Sequence, residues 1–156
     1  MKDLPRLPGN VTKWISENVW WIVLVGVILS GIGLLTGIGA LFTALAVVGT
    51  GVTYYGYAFA GTYTGGWIAS SIISLVFMAG ILALLATAIT PLKAMKAKGW
   101  NVLFMVLLVD AVYVAVNALF SFNIIGFVFN LIFGAIGLAI SAYFLFEIKS
   151  HFVKSK

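Results

Sequence analysis

Cysteine is absent from this chain of 156 residues, and charged residues are scarce. The sequence holds one histidine, and Asp, Glu, Lys and Arg together make up 8% of it. Without cysteine, disulfide bonds, thiolate metal ligands and cysteine nucleophiles are excluded. An ordinary soluble domain carries about 25% charged residues. A fold with so little charge has too few polar groups to cover a surface in water.

Long uncharged stretches take the place of these residues. Hydrophobic residues make up 63% of the sequence, and the mean hydropathy is +1.16. No Lys, Arg, Asp, Glu or His lies between Glu17 and Lys93, a run of 75 residues, and none lies from Ala111 to Phe146. A helix crosses the roughly 30 Å of hydrocarbon with about 20 apolar residues. The sequence therefore predicts a protein that crosses a membrane several times, with the lipid bilayer as its main partner.

The positions of the cations predict the number of crossings. The nine Lys and Arg residues form three groups, which are Lys2, Arg6 and Lys13; Lys93, Lys96 and Lys98; and Lys149, Lys154 and Lys156. Short loops rich in Lys and Arg stay in the cytoplasm, so an even number of crossings separates one group from the next. By length, each of the two intervals holds two crossings.

The fold predicted from this count is an all-α bundle of four transmembrane helices in a single membrane domain, residues 1–156. The crossings are expected near residues 19–40, 67–90, 100–120 and 124–146. Both termini are predicted to be cytoplasmic, with the protein in the plasma (inner) membrane. The loop with Lys93, Lys96 and Lys98 is expected to lie at the lipid headgroups. Because topology accounts for the net charge of +5, nucleic acid is not expected as a partner.

Two segments fall outside these crossings. Val11, Trp14, Ile15 and Val19 share one helix face, which predicts a short N-terminal interfacial helix along the inner membrane surface. A cleavage-like tripeptide at 44–46 lies too far from the start, so the first crossing is expected to be an uncleaved signal anchor. Residues 41–66 hold four tyrosines and are expected to be extracytoplasmic or interfacial, either as an overrun of the first helix or as a segment that dips into the membrane.

Tryptophan and proline are predicted to mark helix ends. Tryptophan prefers the membrane interface, and Trp67 and Trp100 are placed to open the second and third crossings. Pro91 is predicted to end the second helix, because proline lacks the backbone N–H that a helix needs.

Small residues recur at helical spacing in the first and fourth helices, where they mark faces that pack closely against another helix. The glycines predicted to lie in helix contacts are Gly26, Gly33 and Gly37 in the first helix and Gly126, Gly134 and Gly137 in the fourth. We favour packing within one bundle. The alternative is a seam for a homo-oligomer or for other membrane proteins.

Asp110 is the one charged residue inside a predicted crossing. At 1.5 Å per residue it lies about 15 Å deep, where an ionised carboxylate costs about 2.5–3.5 kcal/mol to insert. We therefore expect it to face the bundle interior, and equal depth predicts a contact with Ser30. Tyr113 and Asn117 follow at helical spacing, and equal depth predicts a contact between Asn117 and Asn130. These five residues form the predicted buried polar site, which could also bind a proton or cation.

Other reactive groups are isolated from one another. His151 is expected to be a solvated side chain in the C-terminal tail, and Glu147 and Lys149 are expected to form an interfacial charge pair. Metal sites need clusters of His, Cys and carboxylates, and no cluster is present in the sequence. No His or second acid shares a crossing with the serines, so a hydrolytic triad lacks its parts. We expect no metal, no cofactor and no enzymatic activity.

Two segments resemble a known kind of protein. The segment Pro91–Phe104, PLKAMKAKGWNVLF, and the ending Tyr143–Lys149, YFLFEIK, resemble small four-helix bacterial integral membrane proteins of uncharacterised function. The resemblance covers about the C-terminal third and implies the same topology without an activity. The size is also similar to that of small multidrug transporters, which are four-helix dimers. Their essential acid lies in the first helix, where this chain has none, so that assignment is not adopted.

Two classes of function follow from these features. The first is a non-enzymatic membrane protein, either a subunit of a membrane complex or a homo-oligomeric scaffold. The second is a small proton- or cation-linked transporter or channel that uses Asp110. A transporter needs this carboxyl to open onto a wet cavity, whereas a structural role has it sealed among Ser30, Gly33 and Asn117. We favour the first class, because a single acid does not make a pathway across a membrane.

Overall fold

A computed structural model describes residues 6–49, 65–120 and 124–153, with side chains described at 6–46, 68–120 and 124–152. These residues form four helices and no strand. The helices are α1 (Gly9–Gly49), α2 (Gly65–Lys93), α3 (Ala97–Leu119) and α4 (Ile124–Val153). The predicted all-α architecture with four helices is confirmed.

Each helix is long and apolar enough to cross a membrane. The most apolar 18-residue stretches have mean hydropathies of 2.3 to 2.6, and at most 6% of any stretch is buried inside the protein. Apolar side chains that face outward in such numbers need lipid around them rather than water. The chain is a multi-pass membrane protein.

The first helix is longer than predicted. It runs for 41 residues without a break, about 60 Å at 1.5 Å per residue. The N-terminal interfacial segment is therefore not a separate helix but the first turns of α1, and residues 41–49 are its last turns. The chain has no proline between Pro8 and Pro91, so nothing interrupts the backbone hydrogen bonds there. The rest of the predicted extracytoplasmic segment, residues 50–64, lies outside the described residues.

The helices form a ring in which sequence neighbours pack together. The interfaces are α1 with α2, α2 with α3, α3 with α4, and α4 with α1, and the last is the smallest. The start of α1, the turn between α2 and α3, and the end of α4 share one end of the bundle. There the Lys93 Nζ lies 5.2 Å from the centre of the Trp20 ring, and His151 Nε2 lies 3.3 Å from Thr12 Oγ1. We call this the basic end.

The basic end contains the buried core of the bundle. Its buried apolar residues are Val19, Ala88, Leu92, Trp100, Leu145, Ile148 and Phe152, contributed by all four helices. Two buried hydroxyls donate hydrogen bonds to backbone carbonyls in the preceding turn of α1. Thr12 donates to the Gly9 carbonyl, and Ser16 donates to the Lys13 carbonyl. Tight packing therefore joins the four helices at this end.

Helix α2 ends later than predicted. The sequence placed its end at Pro91. Pro91 lies inside the last turn, and the helix continues to Lys93. Met95 adopts a left-handed conformation, with a φ of 51°. The Met95 N–H donates to the Leu92 carbonyl and the Lys96 N–H to the Pro91 carbonyl, which is the Schellman pattern of helix termination. This pair of hydrogen bonds, rather than the proline, ends the helix.

Trp100 lies near the start of α3 but is buried, 7% exposed, rather than anchored in lipid. Its indole Nε1–H donates to the Leu145 carbonyl of α4 at 2.8 Å. The Lys149 Nζ lies 4.6 Å from the centre of the same ring. Among the described residues Lys149 has no ion pair with Glu147, because side chains two apart on a helix do not face each other. The predicted charge pair between them is therefore wrong.

Replacing Trp100 with Phe is expected to lower the free energy of unfolding by about 1–2 kcal/mol. The substitution removes a buried hydrogen bond, worth about 1 kcal/mol, and weakens a cation–π contact worth about 0.5–1 kcal/mol. Reversible unfolding in mixed micelles measures the change. Trp14→Phe is the matched control, because Trp14 is 55% exposed. Equal losses in the two variants would contradict the assigned role of the indole.

Candidate functional site

The helices α1 and α4 are fastened together at the basic end. His151 lies against Thr12, and Val19 packs into one buried cluster with Ile148 and Phe152. His151 was expected to be solvated in the tail, but it is partly buried against α1. The α1–α4 interface is the smallest in the ring, so this fastening is its main attachment.

Beyond this attachment a cavity of about 450 Å³ lies between α1, α3 and α4. We call it the α1–α4 groove, with α3 as its floor. Ten of its lining residues are apolar: Ile15, Val19, Ile22, Leu103, Val106, Leu107, Ile140, Phe144, Leu145 and Ile148. The other two are Asp110 on the floor and Ser141 on the α4 wall. Leu103, Val106, Leu107 and Asp110 recur at spacings of three and four, which places them on one face of α3.

Asp110 is partly buried on the floor of the groove. In the described parts of the chain it makes no hydrogen bond and no ion pair. Its neighbours along the floor are aliphatic, and Ser141 is exposed on the wall. The carboxyl is therefore neither sealed among Ser30, Gly33 and Asn117 nor at the end of a polar pathway. It lies in an apolar groove between α1, α3 and α4.

The predicted contact between Asp110 and Ser30 is absent from the described residues. Ser30 does not line the groove, and no hydrogen bond joins the two side chains. The reason is the order of the helices around the ring. The floor helix α3 packs between α2 and α4, so α1 lies across the bundle from it. Equal depth in the membrane does not make two helices adjacent.

The remaining polar residues of α3 face other neighbours. The Tyr113 hydroxyl lies 3.4 Å from the Ser74 hydroxyl of α2, and its ring centre lies 5.5 Å from that of Phe77. The Asn117 Nδ2 donates to Asn130 Oδ1 of α4 at 3.3 Å, so the predicted contact between these asparagines is present. Tyr113, Asn117 and Asn130 line a second cavity of about 430 Å³ between α3 and α4.

The predicted packing glycines divide into two groups. A Cβ on Gly37 would lie 2.9 Å from the Leu75 side chain of α2, and one on Gly33 would lie 4.0 Å from Met78. A Cβ on Gly134 would overlap the γ carbons of Val114 on α3. Gly37 and Gly134 therefore permit close contact between helices, whereas a Cβ on Gly33 would make only an ordinary van der Waals contact. Gly126 lines the second cavity, where its carbonyl accepts a hydrogen bond from Asn130.

The other two glycines, Gly26 and Gly137, are open. Apart from its chain neighbours and the adjacent backbone of its own helix, no atom of the described residues lies within 4 Å of the position that a Cβ would take on either one. By helical spacing Gly26 lies one turn beyond Ile22, and Gly137 lies one turn before Ser141, so both share the groove-lining faces of their helices. Neither glycine lines the cavity itself, so each extends one wall of the groove by about a turn beyond the lining residues.

The two open glycines lie at one depth. Gly26 lies 14 residues beyond Thr12, and Gly137 lies 14 residues before His151. Because α1 and α4 run in opposite directions from the same fastening, both glycines lie about 21 Å from it. Asp110 lies about 15 Å along α3 from Trp100, and Trp100 contacts Leu145. The carboxyl is therefore at nearly the same depth as the two glycines.

The basic turn lies outside the groove. Lys93 covers the Trp20 ring, whereas Lys96 and Lys98 are exposed at the level where lipid headgroups are expected. In the described ranges no group of three or more His, Cys, Asp or Glu side chains is close enough to hold a metal ion.

Comparisons of the chain with models of protein families, with curated proteins and with solved structures give no match. A functional assignment therefore has to rest on the groove itself. An apolar cavity with a few placed polar groups is the usual form of a binding site.

Proposed function

We propose that this protein is a non-enzymatic subunit of a membrane complex, whose α1–α4 groove holds a transmembrane helix of a partner protein. The observation that carries the proposal is the groove itself. It is apolar, it lies between two helices fastened at the basic end, and on its floor is a carboxyl that has no partner among the described residues.

A helix suits this groove better than a lipid chain. Helices associate in lipid through close backbone approach at small residues, and Gly26, Gly137 and Ser141 leave both walls open to such an approach. The distance from the fastening to the open glycines, about 21 Å, extends from one membrane surface to the middle of the bilayer. An acyl chain would bring no hydrogen-bond donor to Asp110, although intramembrane acids are usually paired.

Site-specific photocrosslinking in cells that make the protein tests this function. A photoreactive phenylalanine analogue replaces Phe144 in the groove or Ile132, which is 52% exposed and lies on the opposite face of α4 by helical spacing. We expect one discrete protein adduct at position 144 and none at 132, and we expect Gly137→Leu to abolish it. Lipid adducts alone at both positions would contradict the proposal. An adduct with the mass of a dimer would replace the partner with a second copy, as in a homo-oligomeric scaffold.

Proton- or cation-linked transport is the second candidate function, and the position of Asp110 on a cavity favours it. Against it, Ser141 is the only other polar side chain among the described residues that line the groove. Proton flux into vesicles that contain the Asp110→Asn variant separates the two functions. A subunit predicts the same flux as the unaltered protein, whereas a transporter loses it.

We infer that the basic end faces the cytoplasm, with both termini inside and the protein in the plasma (inner) membrane. The positive-inside rule supports this orientation, because Lys13, Lys93 and Lys149 lie at one end of the bundle. A Lys96→Cys variant tests it cleanly, since the chain has no other cysteine. A membrane-impermeant maleimide is expected to label it only after the cells are opened. Labelling of intact cells would contradict this orientation and place the basic end outside the cell.

A further inference from the structure

Building on the function proposed above, we propose that the partner helix presents a basic side chain, Lys or Arg, to Asp110 at the middle of the membrane. The proposal concerns the chemistry of the partner, because the groove imposes an electrostatic requirement on whatever occupies it.

The requirement comes from the surroundings of Asp110. In the described residues the carboxyl has no hydrogen bond and no ion pair, and ten of the twelve groove residues are apolar. Filling the groove with an apolar helix would bury this acid without a partner. Acids within membranes are usually paired with bases or with hydrogen-bond donors. A basic residue on the partner helix forms an ion pair with Asp110, and each charge then compensates the other.

The base has to come from a different protein. The chain has no Lys, Arg or His from Asn18 to Leu92 or from Ala111 to Phe146. A second copy therefore has no cation at mid-membrane depth to offer. Charge complementarity favours a partner helix of another protein over a homo-oligomer.

The groove also fixes where that base lies. The carboxyl lies at nearly the depth of the two open glycines, which are about 21 Å from the Thr12–His151 contact. Because Gly26 and Gly137 leave room on both walls at this level, an incoming backbone can approach the floor closely. A long side chain such as lysine then reaches Asp110 from the centre of the partner helix.

Synthetic helices test the inference directly. Three peptides share one Leu/Ala transmembrane sequence and differ in a central Lys, Gln or Leu. Their association with the full-length protein in phosphatidylcholine vesicles is measured by energy transfer. We expect the Lys peptide to bind about tenfold more tightly than the Leu peptide, as for an interhelical polar contact. We expect Asp110→Asn to remove this preference and Thr87→Ala, a change on α2, whose described residues do not line the groove, to leave it intact.

The outcomes separate the partner's chemistry from the function of the groove. If all three peptides bind equally and Gly137→Leu blocks them, the groove holds helices but the inferred base is wrong. Equal binding of the Gln and Lys peptides would also overturn the inference, since a neutral donor would then suffice. If no peptide binds, or if Gly137→Leu leaves binding unchanged, the proposed function itself fails.

Discussion

Replacing Asp110 with Leu is expected to raise the free energy of unfolding of the isolated protein by about 2 kcal/mol. The carboxyl has no described partner, and a charged acid at the centre of a membrane helix costs about 2.5–3.5 kcal/mol, whereas leucine is favourable there. The gain is smaller than the full insertion cost because the unfolded helices stay in the micelle, so that unfolding relieves only part of this cost. Unfolding by sodium dodecyl sulfate from mixed micelles gives the comparison.

Asn117→Leu is the matched control on the same helix. This change also replaces a polar side chain with leucine, but it removes the hydrogen bond to Asn130 and is expected to destabilise the protein by about 0.6–1.7 kcal/mol. A gain in stability from Asp110→Leu together with a loss from Asn117→Leu would indicate that the acid serves binding, whereas the amide serves packing within the bundle. A loss of stability in both variants would show that Asp110 has a structural partner in the bundle.

The second large effect is expected from leucine at two glycines one turn apart in α4. Gly134→Leu should lower the free energy of unfolding by about 3 kcal/mol, the upper part of the range for overpacking, because even a Cβ there overlaps Val114. Gly137→Leu should change it by less than about 0.5 kcal/mol, because the space beside Gly137 is open. Unfolding of both variants in the same micelles measures the difference.

The functional effects should run in the opposite order. Gly137→Leu fills one wall of the groove and is expected to abolish capture of a helix in a protein that still folds. Gly134→Ala, a milder change at a position that is packed against Val114 of α3, should retain capture wherever the protein remains folded. A strong loss of stability from Gly137→Leu would mean that this face of α4 is already packed against the bundle.

The sequence was sufficient for the features that depend on charge and length. The uncharged runs predicted the four helices. The three groups of cations predicted that the helix ends next to them lie together at one end of the bundle. The contact between Asn117 and Asn130 was also predictable. Both residues lie at about the same depth counted from the basic ends of α3 and α4, and these consecutive helices pack against each other, so equal depth places the two side chains opposite each other.

The groove could not be predicted, because its features depend on which helices are adjacent. Depth alone paired Asp110 with Ser30, but the ring order puts α4 and the groove beside the acid. Glycine spacing looked the same at Gly134, which packs, and at Gly137, which is open. Ser141 lies on the same small-residue face of α4 as these two glycines. The sequence pattern on this face did not show which of its residues pack against α3 and which are open. Trp100 was expected at the lipid interface, yet a carbonyl of α4 accepts its N–H and holds it in the core.

Oxidative crosslinking of cysteine pairs in vesicles tests the open groove most directly, since the natural chain has no cysteine. A disulfide needs Cβ atoms about 3.5–4.5 Å apart. Val19→Cys with Ile148→Cys, within the buried cluster of the basic end, is expected to crosslink readily. Gly26→Cys with Gly137→Cys, on opposite walls at one depth, is expected not to crosslink. Rapid crosslinking of the glycine pair would mean that α1 and α4 close against each other, leaving no space for a partner helix.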